Sequence, residues 1–404
     1  MIKYSEIKFS LISPKIIFGR AKINDLGKEI LDILKPKQIK RPKVFLVSGR
    51  ESLKKSGYLE KIRSNLEHSN IDLEIYNKVT QEPTTSMLNK GKADLIKSVC
   101  DIIVGIGGGS VMDTAKGIAG LTTSGGIVED YLAGKEFIKP PLPFILIPTT
   151  SGTGSEITNN AVIKDKKTGI KKSIRGLWSN LALLDPEITL SLPKKFTAYP
   201  GADALVQAVE SLVSKSSNYI SDLFAREAIT LLGKNLPLVV DNLSNIDLRE
   251  KMMLGSLMDA LSFANGKLGA VHGFAHPIGI KFNIPHGLIC GLLLPYVMDY
   301  NLTIENVVAK YAWVGDMFYQ QKILSDYGEC SKSIPIDQLG KAKWAIEKIK
   351  DIFRYIDIPI HLEEVGIQEK DIDDIVKDTT GSSLANNPRN TDENTLKEIL
   401  FRAL

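Results

Sequence analysis

The chain has 404 residues, 43% hydrophobic and 24% charged, a balance that permits a large core and excludes wholesale disorder. Its 51 Lys and Arg against 47 Asp and Glu leave a net charge of +4, spread thinly, so composition gives no case for a nucleic-acid or membrane partner. The three cysteines, Cys100, Cys290 and Cys330, are far apart with no CxxC pair; this excludes a disulfide framework and a zinc ribbon and predicts a reducing, cytoplasmic setting.

The opening segment MIKYSEIKFSLISPK carries no apolar run ahead of a small-residue cleavage site. The basic run Lys35–Lys43 reads as a solvated turn. Lys43–Ser48 (KVFLVS) then reads as a strand, Glu51–His68 as a helix and Ile71–Val79 as a second strand. Thr85–Cys100 follows as a helix, and Ile102–Ile106 (IIVGI) as a strand running into glycines. Val111–Gly120 is the next helix and Phe144–Pro148 (FILIP) another strand. Strands alternating with helices of this length predict βαβ units and a largely parallel sheet. A second basic run, Lys164–Lys172, again reads as a solvated turn.

Beyond about residue 190 strand signals give way to long helical patterns: Ala202–Ser214, Tyr219–Leu232, Leu248–Ala264, Leu288–Tyr300 and Lys341–Tyr355. Pro186, Pro193 and Pro200 punctuate the change. The expected organisation is an α/β domain over residues 1–190 and an all-helical domain over residues 191–404, with a ligand cleft between them. The most apolar stretch, Gly287–Met298, is too short to span a bilayer and contains Pro295.

Two polar loops follow strands. Gly105-Ile-Gly107-Gly-Gly109-Ser110 leaves a strand and enters a helix, where a glycine backbone and free N–H groups suit a phosphate. It is not the common dinucleotide fingerprint, whose third glycine would fall on Ser110. Ser110 and Asp113 also have capping-box spacing, which would make this a plain helix start. Thr149-Thr-Ser-Gly-Thr153-Gly-Ser155-Glu156 follows the Phe144–Pro148 strand, at the end of a sheet strand where open α/β folds bind ligands.

Of five histidines, three lie close together: His272, His276 and His286. Gly269–Ile280 reads as a helix that puts His272 and His276 on one face, and His286 follows in an Ile-Pro-His-Gly turn. Asp203 and Gln207 are also four apart, on a helix opening after Pro200-Gly201. A carboxylate with several imidazoles suits a divalent transition metal, against an alternative of buried histidines bonded to backbone. His68 and His361 show no constellation.

These pieces, GIGGGSVMDTAK, IPTTSGTGSE, GADALVQAVE, VHGFAHPIG and NIPHG, stand in an order that resembles the iron-dependent (group III) alcohol dehydrogenases. The resemblance runs from PKIIFG near the start to NNPRNTDENTLKEIL at the end. It implies an α/β N-terminal dinucleotide-binding domain with a parallel sheet, an all-α C-terminal domain, and the architecture of the dehydroquinate synthases. It further implies a metal-dependent, NAD(P)-linked alcohol dehydrogenase or aldehyde reductase, with Fe(II) ahead of Zn(II), a small alcohol or aldehyde as substrate, and a homodimer.

By the resemblance, Gly107, Gly108, Gly109 and Ser110 take the cofactor diphosphate, with Asp113 in the same motif. Thr149, Thr150 and Thr153 line the cofactor and Lys172 reaches it from an adjacent strand. The metal ligands fall on Asp203, His272 and His286, whereas spacing alone would pair His272 with His276. Gln207 stands where the family has a fourth ligand, a histidine, and as a candidate metal residue either coordinates weakly or leaves the fourth place to water. His276 matches a histidine beside nicotinamide and substrate, placed to relay a proton. Gly49 stands where NAD-preferring relatives commonly carry Asp, which predicts NADP use at least equal to NAD. Two other readings remain: a metal-free reductase or inactive homologue, which Gln207 keeps open, and a sugar-phosphate cyclase, whose glycine turn reads differently.

Overall fold

The structure, a computed structural model, describes residues 13–80, 82–165, 171–325 and 333–404. The opening segment up to residue 12 and the middle of the Lys164–Lys172 run lie outside the described residues. The chain divides into two compact units, one of them Ile12–Ser191, the other holding Leu192–Leu404.

Among its described residues the first unit holds eight strands: β1 (Lys15–Phe18), β2 (Lys43–Gly49), β3 (Asp72–Val79), β4 (Ile102–Gly107), β5 (Phe144–Pro148), β6 (Ala161–Lys164), β7 (Lys171–Ile174) and β8 (Leu181–Leu184). Six form one sheet in the order β1-β8-β5-β4-β2-β3, every pairing parallel. β4 and β5 are buried along their whole length, which is why they read as unbroken apolar runs rather than alternating ones. Alternate residues feed two cores. Val44, Leu46, Val104 and Ile145 pack with Leu26, Ile30, Ile62 and Leu66 on one face. Phe45, Val47, Ile103 and Leu146 pack with Met112, Ala115 and Ile118 on the other.

β6 and β7 form a separate antiparallel pair. Neither this pair nor β8 is foreseen from the sequence pattern, because four residues such as Leu-Ala-Leu-Leu show no period that separates strand from helix. The expected helix Glu51–His68 is broken into Ser52–Lys55 and Tyr58–His68, with Gly57 at φ 80° between them. In the sheet order the chain leaves β2 towards β3 on one side and returns to β4 on the other. That reversal is the switch point at whose strand ends ligands bind. Register aligns the ends that matter: Ser48 lies opposite Ile106, and Gly107 opposite Pro148.

The second unit is helical among its described residues, with Lys194–Val213, Tyr219–Asp241, Ile246–Gly266, Ala270–Phe282, His286–Asn301, Glu305–Gln320, Gln338–Tyr355 and Glu393–Ala403 as its longer helices. Lys194–Val213 begins well before the expected start and carries Pro200 inside it; Pro193 is its N-cap. One missing N–H is outweighed by packing, since every residue from Gly201 to Val213 is buried. Three of those buried residues are Asp203, Gln207 and Glu210, at i, i+4 and i+7. Polar groups in so apolar a helix require partners. Among the described residues no helix is long and apolar enough to cross a membrane.

Candidate metal centre and nucleotide cradle

In the helical unit three helices converge. Lys194–Val213 brings Asp203, Ala270–Phe282 brings His272, and His286–Asn301 brings His286 and Cys290. One ligand atom from each of the four lies within 4.8 Å of all the others. His272 Nε2 is 3.5 Å and His286 Nε2 is 3.7 Å from Asp203 Oδ1. His286 is not in a turn as the sequence suggests: it is the first residue of its helix, with Pro285 as N-cap. A Cβ on the next residue, Gly287, would stand 2.0 Å from the Tyr199 carbonyl oxygen, so only glycine lets this helix press against the Asp203 helix.

Two of the donors, His272 and Asp203, are oriented from behind. His272 Nδ1 lies 2.6 Å from Glu210 Oε2, and the Val271 N–H donates to Glu210 Oε1 at 2.7 Å. A carboxylate accepts only, so Nδ1 carries a proton towards Glu210 and Nε2 is the nitrogen that faces Asp203. Gln207 Nε2 donates to Asp203 Oδ2 at 3.1 Å. Two acceptors in this buried site, Asp203 Oδ1 and Gln207 Oε1, have no hydrogen-bond partner.

Burial pushes the Asp203 carboxyl up, but the His286 and His272 imidazoles outweigh it and hold Asp203 below the usual range. Burial also drives the Cys290 thiol up to about 12. His286 alone of the four donors opens to solvent, with 37% of its side chain exposed. His276 is exposed and stacks on His286 with ring centroids 5.4 Å apart. His68 bonds to the Ser64 carbonyl and His361 approaches Tyr296 Oη, and neither is a member of this cluster.

In the first unit, the Gly107–Ser110 turn and the Thr149–Glu156 loop lie against one another. The Thr149 N–H donates to the Gly107 carbonyl at 3.0 Å. A Cβ at Gly107 would meet Val111 Cγ2 at 2.5 Å, and one at Gly109 would meet Thr153 at 3.0 Å. The helix Gly109–Ser124 has Gly108 as its N-cap with no side-chain cap, so the Ser110–Asp113 capping box is not formed. Ser110 is already one residue inside the helix. Asp113 instead accepts from Ser155 Oγ at 2.6 Å and from the Val162 N–H at 2.9 Å. Fully buried Lys116 completes the brace, donating to Ser155 Oγ, Thr158 Oγ1 and the Asn160 carbonyl. Gly49 ends β2 at the same strand ends, and Lys172 is exposed on β7.

Residues 13–186 match the sequence profile of the iron-containing alcohol dehydrogenases, and residues 197–404 match that of their C-terminal region. The chain belongs to the iron-containing alcohol dehydrogenase family. Alcohol dehydrogenase 4 of Schizosaccharomyces pombe is 34% identical over 394 residues, covering 96% of this chain and 87% of that one. The 1,3-propanediol dehydrogenase of Citrobacter freundii is 35% identical, covering 86% and 88%. Among solved structures, a 1,3-propanediol oxidoreductase superposes with a TM-score of 0.89 at 31% identity, covering 98% of this chain and all of the other.

This iron-containing alcohol dehydrogenase is therefore an oxidoreductase on CH–OH donors, of a family that uses a nicotinamide cofactor and a divalent metal. The donor set fits such a metal: an undonated carboxylate oxygen, two imidazole nitrogens and a sulfur converge in a buried pocket of the helical unit. Sequence reasoning missed Glu210 and Cys290. Glu210 was legible as the third polar residue at helical spacing after Asp203 and Gln207. Cys290 was legible as the residue one turn beyond His286.

Proposed function

We propose that this alcohol dehydrogenase interconverts small alcohols and their aldehydes using NADP(H) at least as readily as NAD(H), with Fe(II) ahead of Zn(II) as its metal. The observation that carries the metal reading is a buried, undonated acceptor, Asp203 Oδ1, beside the His272 and His286 nitrogens. Leaving one such acceptor unsatisfied costs about 1–3 kcal/mol, more for a charge, and a cation relieves it.

When bound, the divalent cation supplies Lewis acidity towards a hydroxyl or carbonyl oxygen, and the nicotinamide carries the hydride. The chain's residues supply the setting. Asp203, His272 and His286 hold the metal, Glu210 keeps His272 in the ligating tautomer, and Gln207 pins the outer oxygen of Asp203. Burial of Asp203 and His272 keeps water from the inner side, while half-exposed His286 leaves a way in for substrate. His276, stacked on His286 and exposed, passes the hydroxyl proton to solvent during oxidation and returns it during reduction, at an imidazole nitrogen.

In the first unit, Gly107, Gly108, Gly109 and Ser110 take the diphosphate at a helix N-terminus. Thr149, Thr150 and Thr153 line the cofactor and Lys172 adds a cation. Asp113 acts at one remove, by bracing the loop that carries the threonines. At Gly49 there is no carboxylate to repel a 2′-phosphate, and exposed Arg50 follows it. A cytoplasmic homodimer is the proposed setting, on family grounds and on the two buried free cysteines.

A panel of alcohols and aldehydes, assayed with both nicotinamides after anaerobic metal reconstitution, tests this. Turnover in both directions is expected, with kcat/KM for NADPH no lower than for NADH, and Gly49→Asp should move preference to NADH. No turnover across the panel with metal and nucleotide both bound overturns the reading. Activity surviving in His272→Ala and His286→Ala would put the metal-free reading in its place.

A further inference from the structure

We propose that Cys290 is the fourth protein ligand of the metal, beside Asp203, His272 and His286; this rests on the metal reading above. Cys290 follows His286 by one helical turn, so both side chains leave the same face of the His286–Asn301 helix. Its Sγ lies 3.7 Å from His286 Nε2 and 4.0 Å from His272 Nε2. The same two nitrogens lie 3.7 and 3.5 Å from Asp203 Oδ1.

Those four separations are edges of a small polyhedron. A tetrahedral centre with metal–nitrogen and metal–oxygen bonds of about 2.0–2.1 Å and a metal–sulfur bond of about 2.3 Å has ligand–ligand edges of roughly 3.3–3.7 Å. The four observed edges equal or exceed that range by up to a few tenths of an ångström, and the other two pairs lie within 4.8 Å, so a cation at the centre would draw the donors inwards. The donor chemistry agrees, since borderline metals take carboxylate, imidazole and thiolate together.

Gln207 is placed differently. Its amide nitrogen is turned to Asp203 Oδ2, where a donor is needed and where the amide oxygen would repel the carboxylate. It therefore serves as a positioning residue for Asp203, and Cys290 carries the bond, with the substrate oxygen entering as a fifth donor from the exposed His286 side. Coordination takes the thiol as thiolate and releases its proton to solvent. The competing role is that of a buried core cysteine lending a weak S–H to an imidazole.

Cobalt(II) alone is the probe, added to the metal-stripped full chain. Binding at the site produces visible d–d bands, and a thiolate ligand adds a near-ultraviolet sulfur-to-cobalt charge-transfer band. Both are expected in the natural chain. Cys290→Ser should keep the visible bands, lose the near-ultraviolet band and bind cobalt at least about tenfold more weakly. The double variant Cys100→Ser/Cys330→Ser, which leaves Cys290 as the sole cysteine, should keep both bands and serves if Cys290→Ser does not fold. Visible bands without the charge-transfer band in the natural chain overturn the proposal and leave the metal site standing. Loss of the charge-transfer band in the double variant also overturns it. Absence of any cobalt spectrum overturns the metal reading together with it.

Discussion

Glu210 touches neither metal nor substrate in the proposed arrangement, yet two features of the site depend on it. One carboxylate oxygen sets the His272 tautomer, and the other caps the second N–H of the Ala270–Phe282 helix. Glu210→Ala should therefore lower metal affinity by about 10- to 100-fold, read by competition with a chromophoric chelator. Unchanged affinity would mean that His272 is held in place by packing alone. The residues of the candidate centre were legible because their motifs stand in a fixed order. Their choice was not legible from spacing, which pairs His272 with His276. Both leave one helix face, but only His272 is buried; which neighbour completes the site depends on how the next helix crosses, and helical period does not encode crossing.

At the scale of elements, the sheet was readable where strands are long and buried, as in β2, β4 and β5, and unreadable where four residues suffice, as in β6, β7 and β8. The loop after β5 was readable as polar but not as a braced structure, because its ties to Asp113 and Lys116 span about forty residues. That loop ends at Glu156, fully buried, and burial pushes its carboxyl from 4.5 up to about 7, with its own N–H and Lys116 opposing. The folded chain thus holds a proton there that the unfolded chain has released. Stability from this group is present in full below pH 4.5 and is lost as pH rises through 7, about 3 kcal/mol in total. Glu156→Gln should abolish that part of the pH dependence, so the variant gains on the natural chain between pH 5 and pH 8 in urea unfolding. Parallel pH profiles for the two would show that Glu156 is already charged at pH 5.

For the whole molecule, all four candidate donors belong to the helical unit Leu192–Leu404 and come from three of its helices. A cation binding them stabilises only the folded form. At a free metal concentration about 100 times Kd that is worth about 2.7 kcal/mol, or about 5–10 °C in the melting temperature of a unit this size. Chelator treatment should lower the corresponding calorimetric transition by that amount, and re-addition of metal should restore it. A transition indifferent to chelator would place no metal among these helices.

Gly287, where the His286 helix meets the backbone at Tyr199, sets the order in which this centre can be made. A ribosome releases the Asp203 helix long before the glycine that allows the second helix to dock, and His286 and Cys290 arrive only with it. A metal held by all four donors would therefore be captured late in synthesis, after residues 12–191 have emerged. In a cell short of metal, the product to expect is a folded chain whose helical unit keeps its core and lacks only the stability that a bound cation would add.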